Sequence, residues 1–246
     1  MKKFFNKEDI EKLSVTSKIG LISTISPEGE VQITLISSIQ PRNESELIWG
    51  EFSSGLSKKY LKDNPKCGFL ALNPGKEWWS GKALLRDTKD QGTEFDMYNN
   101  QPLFRYNSYF GIGKVHYMDV IDFSGKQNLP MKDIVVGALS GNVIKGFVKG
   151  SEDKAQKIKG LSLKLAKDIA APKFISYVDE DGYPVIFPVV QAVLKDDMGR
   201  VLIPLTANKE KLEKIKPGSK AALFYANLKL SSVLFQGVYV GVEKKL

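Results

Sequence analysis

The chain holds one cysteine, Cys67, and one histidine, His116, among 246 residues. A lone cysteine excludes an intrachain disulfide and fits a reducing compartment. One Cys and one His cannot build a structural zinc site of the usual kind. A Ser-His-Asp triad would have to use His116, in the alternating run Lys114-Val115-His116-Tyr117-Met118-Asp119. That run reads as a strand whose histidine faces solvent or a partner, so hydrolytic chemistry is not expected. Arginine is scarce as well: Arg42, Arg86, Arg105 and Arg200 are the only four among 36 basic residues. A net charge of +8 invites an anionic partner. Nucleic-acid readers favour arginine forks and aromatic platforms, however, and here lysines are scattered along the chain, so most read as solvated surface. Long apolar runs are missing too. Val185 to Leu194 is interrupted by Pro188 and Gln191, far short of the roughly 20 residues of a membrane span. The basic start Met1-Lys2-Lys3 turns polar at Asn6, so no secretory leader is expected and the reading is cytoplasmic, with no membrane partner.

What is present is an internal repeat. Leu21-Ile22-Ser23-Thr24-Ile25-Ser26-Pro27-Glu28-Gly29 lies on Phe174-Ile175-Ser176-Tyr177-Val178-Asp179-Glu180-Asp181-Gly182 without a gap. Each is an apolar strand ending in an acidic turn closed by glycine. At the same offset Ile33 meets Ile186 and Ile36 meets Val189. One residue later in register, Leu47-Ile48-Trp49 matches Val201-Leu202-Ile203, and Lys66 to Asn73 matches Lys220 to Asn227. Two more residues of slippage set Gly81 on Gly237.

Many short strands with a single short helix per copy indicate a mainly β fold, a β-barrel with a few helices. The expected architecture is two tandem copies of a small barrel. Its parts are a domain over residues 1–150, a connecting helix over 151–169 and a second, degenerate repeat over 170–246. The connector opens at Ser151-Glu152-Asp153 and has an apolar face of Ile158, Leu161, Leu165 and Ile169. Thr88 to Phe110 is extra to the first copy. It is long for a structureless connection, so it carries function or hides a helix.

The segment richest in chemistry is Ser53-Ser54-Gly55-Leu56-Ser57-Lys58-Lys59-Tyr60-Leu61, closed by Asn64-Pro65. Ser57 is suited to cap a helix, with Leu56 and Leu61 as a hydrophobic staple. Lys58 and Lys59 then stand in the first turn, the wrong sign for the helix dipole. A bound anion would remove the conflict. Backbone N–H groups, two ammonium groups and the hydroxyls of Ser53, Ser54 and Ser57 make a phosphate cradle. In the second copy Leu212 and Glu213 stand in place of the two lysines.

This order resembles the pyridoxamine 5′-phosphate oxidase-like family of FMN-binding split barrels. The resembling residues are the Gly29 turn, Thr34-Leu35-Ile36-Ser37, Ser57-Lys58-Lys59 ahead of Asn64-Pro65, and Trp78-Trp79-Ser80-Gly81-Lys82-Ala83. The resemblance implies two tandem split β-barrel-like repeats forming a pseudo-dimer, with an FMN in a groove between two barrels. Its phosphate would be held by Ser53, Ser54, Ser57, Lys58 and Lys59, with Thr34 and Ser37 bordering the flavin or its ribityl chain and Trp78 or Trp79 walling the ring. Two departures matter. Thr34 stands where the family commonly has an arginine, and the C-terminal motif that grips pyridoxal phosphate has no counterpart in Val240 to Leu246. Vitamin B6 oxidation is therefore not expected. The implied activity is a flavin-dependent oxidoreductase using a small-molecule substrate or electron donor, and a homodimer is left open. No acid or base is assigned; Lys82, Tyr106 and Tyr109 are the side chains considered. The competing readings are a split-barrel module without catalysis and a basic nucleic-acid-binding barrel.

Overall fold

A computed structural model describes residues 4–101, 111–148, 160–169, 171–195, 200–226 and 231–243. The chain divides into two compact units. One is Met1–Asn128 with Val178–Ile186, the other Leu129–Tyr177 with Phe187–Leu246.

The first unit opens with helix α1 (Lys7–Leu13), started by a reciprocal cap. Asp9 N–H donates to Asn6 Oδ1 at 2.8 Å and Asn6 N–H to Asp9 Oδ2 at 3.2 Å, satisfying two end donors of the helix. Strands β1 (Ile19–Ile25), β2 (Val31–Leu35), β3 (Gln40–Pro41) and β4 (Glu46–Glu51) precede helix α2 (Leu56–Asp63). Strands β5 (Lys66–Leu72) and β6 (Glu77–Lys89), helix α3 (Thr93–Asn100), and strands β7 (Lys114–Phe123) and β8 (Gln127–Asn128) complete the unit. They form a mainly antiparallel sheet in the order β2-β1-β5-β6-β7-β4-β3, with β8 on β6. β6 pairs with β5 through its first half and carries register shifts at Lys82/Ala83 and Leu85/Asp87 against β7. Such irregularities bend and twist a strand, and the sheet curls into a half-barrel. Its core cluster includes Phe5, Ile22, Trp49, Phe69, Trp79 and Met118. Leu61 of α2 joins this core, a burial that contributes about 1.5–3 kcal/mol. The segment from Thr88 does hide a helix, α3, which packs Tyr98 against Ile48, Ile112 and Val115; residues 102–110 lie outside the description.

In the second unit, helix α4 (Met131–Ile144) precedes helix α5 (Gly160–Lys167). The expected start of the connector at Ser151 and its Ile158 lie outside the described residues. Leu165 is buried as expected, whereas Ile169 is past the helix end and 58% exposed. Strands β9 (Lys173–Val178), β10 (Pro184–Pro188), β11 (Val193–Leu194) and β12 (Val201–Leu202) follow, then helix α6 (Lys209–Glu213) and strands β13 (Lys220–Ala226) and β14 (Ser232–Val238). The four-stranded sheet runs β10-β9-β13-β14, and β11 pairs with β12.

This order repeats β2-β1-β5-β6 of the first unit, and the backbone bonds repeat with it. Ser26 N–H donates to Glu30 O and Gly29 N–H to Ser26 O; Asp179 N–H donates to Tyr183 O and Gly182 N–H to Asp179 O. Gly29 and Gly182 share a φ of 77°, the left-handed region that only glycine enters freely. Ile36 N–H to Gly20 O is matched by Val189 N–H to Lys173 O. The register corrects one alignment. Gly81 faces Phe69, and Gly237 faces Ala221, so the residue answering to Gly237 is Ala83, opposite Cys67.

Candidate functional site

The cradle residues lie in the first unit, where β4 leads through a short turn into α2. Gly55 is the cap of α2, in extended conformation and with no side-chain cap bond, so the helix begins two residues earlier than Ser57 suggests. Ser57 is not the cap. It is buried in the first turn, its Oγ 2.5 Å from Thr34 Oγ1 on β2, a hydrogen bond that ties the helix start to the sheet edge. The staple fails with the cap: Leu61 is buried, but Leu56 is 55% exposed.

The basic pair remains in the first turn. Lys58 is half-buried, and burial lowers its pKa against the opposing pull of Glu51. Its Nζ donates to the Ser53 carbonyl, which folds the side chain over the turn. Lys59 is exposed, as are Ser53 and Ser54. Among the described residues, neither lysine has a carboxylate within salt-bridge distance. Ser37 is half-buried in the turn after β2. The structure thus brings Thr34, Ser57, Lys58 and the Ser53-Ser54-Gly55 turn together. It does not add Trp79. That ring is fully buried, its Nε1 donates to Asp9 Oδ1 at 2.8 Å, and it belongs to the core. The expectation that Trp79 walls a ligand is corrected: no part of it is exposed to meet one.

Sequence reasoning missed the titratable pair beside the cradle. His116 does not face solvent. Its ring stacks on Trp49 with centroids 3.8 Å apart, Nε2 lies 2.7 Å from Glu51 Oε2, and Nδ1 lies 3.1 Å from Thr88 Oγ1. Burial lowers the His116 pKa, Glu51 opposes that, and Lys58 and Lys114 add to the lowering. The signal was positional: β4 pairs with β7 so that Trp49 is opposite His116. Ser38 was also missed. Its Oγ donates to Gly50 O and accepts from Gly50 N–H, each at 3.1 Å, which steadies β4 just ahead of Glu51.

Lys82 is engaged elsewhere. Its Nζ bonds Asp179 Oδ2 at 2.9 Å and Asp181 Oδ2 at 2.7 Å. Burial would lower its pKa, but the two carboxylates prevail and raise it, which suits an ion pair better than proton transfer. Tyr106 and Tyr109 lie outside the described residues. Cys67 is buried, and burial raises its thiol pKa, so it is no nucleophile. Among the described residues no cluster of His, Cys, Asp and Glu is arranged to hold a metal ion. Among the described residues no helix is long and apolar enough to cross a membrane.

No protein-family model matches the sequence, and no curated protein matches it. Solved structures do. An FMN-binding protein from Syntrophomonas wolfei is 20% identical, over 50% of this chain and 88% of that one, with a TM-score of 0.41. HupZ of Group A Streptococcus is 12% identical, over 51% and 99%, with a TM-score of 0.41. An F420 reductase is 15% identical, over 49% and 98%, with a TM-score of 0.38. Each of these likenesses spans about half of this chain and most of the other.

Proposed function

We propose that the chain binds FMN, with the phosphate at the start of α2, and acts as a flavin-dependent oxidoreductase on a small molecule. One of the solved neighbours is named for FMN, but the reading rests on this chain's own residues. The observation that carries it is Lys58, a half-buried ammonium in the first turn of a helix that lacks a side-chain cap. Desolvation and the helix dipole both work against a cation there. A phosphate dianion opposes both effects and accepts the free N–H groups of the turn.

The residues fit the group at its phosphate end. Lys58 and Lys59 would supply charge, Ser53 and Ser54 exposed hydroxyls, and the Thr34–Ser57 bond a fixed position for the helix start. Bound FMN supplies one- or two-electron transfer. The chain's own contribution is to orient the phosphate and to hold a proton between Glu51 Oε2 and His116 Nε2 at the edge of the cradle. We also infer that the second unit is a diverged copy of the first and holds no phosphate.

Titration of FMN and riboflavin against the wild type and Lys58→Ala/Lys59→Ala tests this. Losing charge-assisted bonds of about 1.5–3 kcal/mol each should weaken FMN binding at least tenfold. Riboflavin, which has no phosphate, should bind both proteins alike. Equal affinity of the wild type for FMN and riboflavin, or no effect of the substitutions, overturns the reading.

A further inference from the structure

Helix α4 buries one face and displays the other. On the inner face, a Cβ at Gly137 would collide with Thr206 Oγ1 and lie 2.9 Å from Gln191 Cβ; one at Gly141 would lie 2.8 Å from Val193 Cγ2. With Ile134 and Ala138 also buried, the helix is held closely and cannot roll. Its outer face is nonetheless apolar. Met131, Val135, Val136, Leu139, Val143 and Ile144 are each 39–67% exposed. From Ile134 to Ile144 no residue is charged, in a chain whose composition is 26% charged.

We propose that this face is the contact of a homodimer, with α4 packed against α4 of a second copy. Two arguments select a second copy as the occupant. The first is area. The six side chains expose roughly 500 Å² of apolar surface, at the upper end of what a monomer displays. A standard interface takes about 800 Å² from each partner, and about 65% of a homodimer contact is apolar, which requires roughly the same amount. Lys132, Asp133 and Ser140 border the patch and supply its polar rim. The second is self-complementarity. A two-fold axis through Leu139 sets Val135 of one copy against Val143 of the other and Leu139 against itself. The i, i+4 ridge of each helix then fits the groove of its mate, a packing with helices crossing near −50°.

Sedimentation velocity on the full chain at tens of micromolar tests the proposal. The wild type should sediment at twice the 27.4 kDa of one chain. Leu139→Glu and Leu139→Lys should each be monomeric, with association weakened at least tenfold, because like charges meet across the axis. Their far-UV circular dichroism should match the wild type. Mixing the two variants should restore the dimer, which a misfolded variant cannot do. A monomeric wild type, variants that remain dimeric, or a mixture that stays monomeric overturns the proposal. So does a monomer that pellets with phosphatidylcholine/phosphatidylglycerol vesicles through Leu139, since the face would then serve a lipid surface.

Discussion

At the scale of the residue, two side chains show how burial decides chemistry. His116 has a pKa below its ordinary 6.5, because desolvation outweighs the attraction of Glu51, with Lys58 and Lys114 adding to the effect. Just below pH 6.5 the unfolded chain therefore binds more protons at this position than the folded one, and stability falls as pH falls through that window. His116→Gln keeps a partner for Glu51 Oε2 and removes the titration. Thermal midpoints between pH 7 and pH 5.5 should decline less in the variant than in the wild type; parallel curves would contradict the account. This window lies above the one in which the paired carboxylates Glu46, Glu94, Asp179 and Asp181, whose pKa values are lowered, begin to protonate. Lys82 offers the second case. Its ammonium, 12% exposed, serves both Asp179 and Asp181. Lys82→Met leaves two neighbouring carboxylates without their cation and should cost about 1–3 kcal/mol in urea unfolding. Flavin binding should be unchanged, since Lys82 is not in the cradle.

At the scale of the element, glycine positions separate a structural demand from a chance match. A Cβ on Gly81 would run into the Asp122 carbonyl and lie 2.7 Å from the Phe69 ring. The obstruction is partly backbone, which cannot rotate away, so Gly81→Ala should cost about 1–3 kcal/mol. Gly237 has nothing within 4 Å of such a Cβ, and Gly237→Ala should fall within about 0.5 kcal/mol of wild type. Denaturation midpoints of the two variants decide whether the glycines are equivalent. The same contrast explains what could be read in advance. β1, β2, β5 and the acid-glycine turns were legible because strand alternation and positive φ leave residue-type signatures. The start of α2 was displaced because Ser57 has the chemistry of a cap, while its hydroxyl is bound to Thr34, 23 positions away in the chain. α4 escaped notice because a helix apolar on both faces has no 3.6-residue period to detect. His116 was misplaced because strand alternation gives its parity but not which face is covered, and Trp49 covers it.

At the scale of the whole molecule, the strand path β2-β1-β5-β6 has a counterpart in β10-β9-β13-β14, and the inference that the second unit is a diverged copy sets the two helix starts side by side for comparison. Where Thr34 and Ser57 join strand to helix in the first unit, the corresponding residues of the second are Phe187 and Lys211. There Lys211 Nζ lies 5.8 Å from the centroid of the Phe187 ring. On that reading, a cation over an aromatic face stands where the first unit has a hydroxyl pair. Helix α6 has five residues, begins at Asn208 in a left-handed conformation, and buries Leu212 where Lys58 stands in α2. The second helix start thus lacks adjacent lysines: Lys209 Nζ lies 3.9 Å from Glu213 Oε1, and Lys211 lies over the Phe187 ring. The chain should therefore take up one FMN, not two. Calorimetric titration should give one site per chain in the wild type and none of comparable affinity in Lys58→Leu/Lys59→Glu, which writes the residues of α6 into α2. Two sites per chain, or one site that survives that exchange, would mean that the phosphate is held somewhere other than the start of α2.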